Sequence, residues 1–136
     1  MEDDVEDGSW SRCSAILRIF GTIADLDEIT RTLGLIPTHF HRRGDRQRVP
    51  ALGDYEHDMW SYSPPVPAEE PLDVHIQTLW AHIAPHTDYL LGLKRTLTVD
   101  VFCCLASPGA QGIEVSHRSL EMFTRLEVPF GVSLVV

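Results

Sequence analysis

The chain has 136 residues, enough for one domain that buries a core without disulfide or metal support. Against 11 basic residues stand 20 acidic ones, and the net charge of -9 argues against nucleic-acid binding and favours basic partners. Three cysteines imply no disulfide framework, and no apolar run reaches the ~20 residues of a membrane span.

Glu2 to Asp7 places five acids in six positions. This predicts a disordered acidic tail over residues 1–9, ahead of a single α+β domain over 10–136. The acidic start is unlike a basic secretory leader, so a cytoplasmic location with reduced thiols is expected.

Cys13 to Phe20 alternates, with Ala15, Leu17 and Ile19 on one side and Ile16, Arg18 and Phe20 on the other. That is a strand, stopped by Gly21. Asp25-Leu-Asp-Glu28 forms a capping box, and Leu26, Ile29, Thr30 and Leu33 have helical spacing before Gly34. A helix over Asp25 to Leu33 follows. Thr38 to Arg48 reads as a strand entering an exposed loop, and Asp58 to Ser63 as the next strand. Trp60 shares a face with Asp58 and Tyr62 there, which suggests a semi-exposed ring. Ser63-Pro-Pro-Val-Pro67 is a loop.

Pro71 to Leu93 carries the apolar stripe Val74, Ile76, Leu79, Trp80 and Ile83, and Pro85 breaks or kinks the helix near Ala84. Arg95 to Leu105 alternates as a half-buried strand, with Cys103 and Cys104 on opposite faces. Ser107 to Gly112 is a turn and Gly112 to Val115 a short strand. Ser116 or Ser119 caps a helix over Leu120 to Leu126. Phe130 to Val136 is a final strand, so apolar that a central or covered place is expected; at an edge it would form a homodimer.

The order is β-α-β-β-α-β-β-α-β, which predicts an α+β two-layer sandwich, a mainly antiparallel sheet with helices on one face. Leu26-x-x-Ile29-Thr30-Arg31 and Leu120-x-x-Phe123-Thr124-Arg125 are alike, each between a strand and a proline. Their likeness suggests a ferredoxin-like pseudo-repeat.

Ser14-Ala-Ile-Leu-Arg-Ile-Phe-Gly21, Asp27-Glu-Ile-Thr30, Leu33-Gly-Leu-Ile-Pro-Thr38, a Gly-bearing loop and Trp60-Ser-Tyr-Ser63 follow in order. This series resembles the bacterial family called domain of unknown function 4279. Leu72-Asp-Val-His-Ile76 and Val115-Ser-His-Arg-Ser-Leu-Glu121 extend the resemblance over about residues 13 to 136. It implies a small, soluble, mostly bacterial protein, and it carries over no catalytic residue because the family has no established activity. The Arg-rich stretch after Thr38 departs from the family's pattern.

Two groups of residues are candidates for a site. The loop bearing His41, Arg42, Arg43, Arg46 and Arg48 supplies forked donors suited to phosphates and carboxylates. Trp60 and Tyr62, with Trp80, suit a groove for a small ligand or peptide. His39 and His41 share a strand face, but Pro85 spoils the facing geometry of His82 and His86, so neither a metal nor a cofactor is implied. No nucleophile elbow, P-loop or dinucleotide fingerprint occurs. The expectation is a non-catalytic protein-binding module, immunity-like or accessory. A small-molecule or anion sensor and an enzyme of unknown class are the alternatives.

Overall fold

Strict alternation along Arg12–Gly21 (β1) builds the centre of the molecule. Cys13, Ala15, Leu17 and Ile19 are buried on one face, while Ser14, Ile16, Arg18 and Phe20 are half-buried on the other. The computed structural model describes residues 11–109 and 112–135. The expected tail, Trp10, the turn residues Ala110 and Gln111, and Val136 lie outside them.

After β1 come Leu26–Leu33 (α1), His39–His41 (β2), Asp58–Tyr62 (β3), Leu72–Ile83 (α2) and Thr87–Leu93 (α3). Thr98–Ala106 (β4), His117–Leu126 (α4) and Val132–Val135 (β5) complete the order. The sheet runs β2-β3-β1-β4-β5. The β2–β3, β3–β1 and β1–β4 pairs are antiparallel, and β4–β5 is parallel. The fold is therefore α+β, with a mixed, mainly antiparallel sheet. Through β4 the order and directions are those of the ferredoxin-like split β-α-β arrangement; α4 and β5 extend it. The two ends use their helices differently: α1 links strands separated by β3, whereas α4 links direct neighbours.

Local chemistry sets the helix boundaries. Asp25 accepts from the Asp27 N–H at 3.0 Å and Gly34 closes α1 in the left-handed region at φ 67°. The helix breaks at Pro85: α2 ends at Ile83, a 3₁₀ turn holds Ala84–His86, and α3 starts at Thr87. The Ser116 hydroxyl caps α4 by accepting from the Ser119 N–H at 3.2 Å. At the other end of α4, Lys94 Nζ donates to the carbonyls of Leu126 and Glu127 at 3.1 and 2.6 Å.

One apolar core lies between the helices and the sheet. Leu17, Ile19, Trp60, Ile76, Leu79, Ile83, Leu90, Val101, Cys103, Met122 and Leu126 belong to it. On the open face, the Arg18 guanidinium donates to both Asp100 oxygens at 2.9 and 2.8 Å and lies 4.7 Å over the Phe102 ring.

Three expectations are corrected. Trp60 is 0% exposed rather than semi-exposed, because its face is the helix side of the sheet. Residues 112–115 form no strand and pair with no strand among the described residues; they lead to the α4 cap. The last strand is not central: among the described residues β5 is an uncovered edge, with Leu134 68% and Val135 53% exposed.

Candidate functional site

A groove opens where α1 meets the β2 end of the sheet. Trp60 forms its floor: β3 presents the indole toward α1, and Nε1 donates to Thr30 Oγ1 at 3.0 Å. That bond satisfies the buried N–H and ties strand to helix. The chain leaving α1 after Gly34 supplies Ile36 and Pro37. On β2, Phe40 stands opposite Trp60 in register and so shares its face. Ile36 is 82% and Phe40 60% exposed. With Leu26 they line an apolar depression of about 490 Å³. Asp25 and Asp27 from the α1 cap stand at its rim, with Arg42 across from them.

The residues singled out in the sequence do not converge. Trp60 and Arg42 line this groove. Tyr62 lies on the same sheet face but is buried, and its hydroxyl shares a 2.9 Å hydrogen bond with His82 Nδ1. Burial pushes its phenol up. Trp80 packs half-buried against the core. His41 points to the open face, stacked on Tyr55 with 3.4 Å between centroids and 3.1 Å from His39. Its burial, and then His39, lower its imidazole pKa. Arg43 lines a separate shallow cleft with Thr22, Tyr55 and His57. Arg46 pairs by backbone with Asp54 across the loop, and Arg48 lies exposed beyond it.

Asp58 positions this whole end. Its buried carboxylate accepts from the Arg43 N–H at 2.7 Å and the Ile23 N–H at 2.8 Å, with Arg42 Nε at 3.7 Å. Those two backbone donors hold the carboxyl below its ordinary value. One side chain thus fixes the turn after β1 and the start of the Arg loop. Ile36, Phe40 and Asp58 escaped the sequence reading. The signal for Phe40 was there: it sits between two histidines on a strand and must face away from both.

A second, larger cavity of about 680 Å³ lies toward the start of β1, lined by Cys13, Glu69, Glu70, Asp73, Leu105 and Glu114 among others. Asp73 is committed to structure. It accepts from the Ser116 N–H at 2.8 Å, Ser119 Oγ at 2.6 Å and Gln77 Nε2 at 2.8 Å. Burial raises its pKa, and these bonds together bring it below the ordinary range.

Fold and site together describe a small α+β domain with a five-stranded mixed sheet and a groove at one sheet edge. The chain belongs to the family described as domain of unknown function (DUF4279), whose model matches residues 11–136. No curated protein and no solved structure matches the chain. Among the described residues, no helix is long and apolar enough to cross a membrane.

Proposed function

We propose that this protein is a non-catalytic, cytoplasmic interaction module that takes an apolar segment of a protein partner into the groove over Trp60. The observation that supports this is the pair Ile36 and Phe40, two large apolar side chains exposed to solvent that line one groove with Leu26 and Pro37, above the buried Trp60. Contiguous exposed apolar surface of this kind marks interaction sites. The rim adds selectivity. Asp25 is paired with Arg31 at 3.3 Å and Arg42 lines the same groove, so a preference for basic residues flanking the apolar anchor rests on Asp27 and the net charge of -9. A basic partner neutralised in this way fits an immunity-like or accessory role.

A displayed random-peptide library, selected on the purified protein, tests the reading. Enriched peptides should combine aromatic or aliphatic anchors with Lys or Arg. Phe40→Asp and Ile36→Asp should each weaken them at least about tenfold while leaving the fold intact, since both side chains are exposed. Peptides that bind both variants as well as the wild-type chain would sink the proposal. The groove volume also suits a small apolar ligand. Native mass spectrometry of protein isolated from its own host separates that reading, which requires bound extra mass lost in Phe40→Asp.

A further inference from the structure

The two edges of the sheet are guarded very differently. β2 is three residues long, Pro37 precedes it, and Tyr55 of the following loop folds back to stack on its His41. β5 is four residues long and follows Pro129, but residues 130–135 read Phe-Gly-Val-Ser-Leu-Val, without a charge. Unprotected apolar edges of this kind recruit another strand.

The backbone geometry narrows what that strand is. The Ser107 N–H donates to the Val135 carbonyl at 3.0 Å, so residue 135 turns its polar groups toward β4. Successive residues of a strand direct these groups to alternate sides. Ser133 therefore also faces β4, and Val132 and Leu134 direct N–H and C=O outward. A two-fold axis perpendicular to the sheet and midway between Ser133 and its copy sets Val132 opposite Leu134 of a second copy. Each outward donor then meets an outward acceptor, four times in all. The same register joins the Val132 and Leu134 side chains on the helix side, and sets Val135 against Gly131, where no side chain obstructs. Each copy carries -9, which opposes self-association at low salt, and β5 adds no side-chain charge of its own to the contact.

We propose that β5 pairs antiparallel with β5 of a second copy, forming a two-fold dimer with one continuous sheet. Sedimentation of the full chain over a wide dilution series should give twice the monomer mass. Ser133 is a non-hydrogen-bonded position in this register, so its two copies bring Cα atoms to about 4.5 Å, within disulfide range. Ser133→Cys, placed in a Cys104→Ser background because Cys104 neighbours Ser133 across β4–β5, should oxidise to a covalent dimer on a non-reducing gel. Cys13 and Cys103 are buried and should not react. Leu134→Pro removes an outward N–H and leaves the inner ladder, so it should sediment as a folded monomer; Leu134→Lys serves the same purpose should the proline variant unfold. A wild-type monomer at every concentration overturns the proposal. So does a dimer that neither cross-links at residue 133 nor responds at residue 134, and so does a different polypeptide found paired with β5.

Discussion

Asp58 shows how much one buried carboxylate organises. It is the shared acceptor of two backbone donors from segments twenty residues apart, and both would be left unsatisfied by its removal. Asp58→Ala should cost about 1–3 kcal/mol, the expense of one orphaned buried donor and one part-buried one, read as a lower urea midpoint with unchanged slope. The pH dependence follows with a definite sign. Its folded pKa lies below 3.8, so the unfolded chain takes up the proton first on acidification. Its stabilisation is complete above the ordinary carboxylate value and is lost as pH falls from there through the folded value. Asp58→Asn should therefore start less stable and lose less on acidification than the wild-type chain; parallel acid-unfolding curves would refute this account. No periodicity announces such a residue. A strand-end Asp reads as solvated until the path of the Arg loop over it is known.

Between elements, the same question of magnitude separates two Arg–carboxylate contacts. Arg125–Glu121 spans one turn of α4 with both side chains more than half exposed, and such a pair contributes about 0.3–0.5 kcal/mol. Arg18–Asp100 joins the central β1 and β4 through two bonds, with the side chains 32% and 27% exposed and the guanidinium sheltered by Phe102. A double-mutant cycle of Arg18→Ala and Asp100→Ala should give a coupling of about 1–2 kcal/mol in urea unfolding, several times that of Arg125 with Glu121. Equal couplings would show that shelter and bidentate geometry add nothing here. The pairing itself was partly legible. Alternation separated Arg18 from Ala15, Leu17 and Ile19, and the cap at Asp25, a cap at Ser116 or Ser119 and Pro85 marked the helices. Strand order was not legible. An apolar strand such as Val132–Val135 reads the same at a sheet's centre or edge, because hydropathy records the wish to be covered and not the neighbour that covers it. The groove failed to show for a related reason. Ile36 and Phe40 belong to separate elements, and only the turn at Gly34 brings them to the floor that Trp60 provides.

At the scale of the whole molecule, the two proposals concern opposite edges of one sheet, and they combine. A β5–β5 dimer would order its strands β2-β3-β1-β4-β5-β5-β4-β1-β3-β2, leaving each groove at a far end. With strands about 4.8 Å apart, the two β2 edges lie about 40 Å from one another. They are too distant for one short peptide to fill both grooves. They are well placed for a partner presented in many copies, or for one that is itself two-fold. Binding at the second groove is then intramolecular, and its effective concentration exceeds that of partner free in solution. The dimeric wild-type chain and monomeric Leu134→Pro should therefore bind a selected peptide equally well when that peptide is free and monovalent. On a surface densely coated with the same peptide, the wild-type chain should dissociate roughly a hundredfold more slowly. Dilution of the coating beyond the span of the two grooves should erase the difference. Unequal affinity for the free peptide would instead tie the groove to the dimer interface through the fold. Equal dissociation at high density, from a chain shown to be dimeric, would mean the two grooves do not face the same surface.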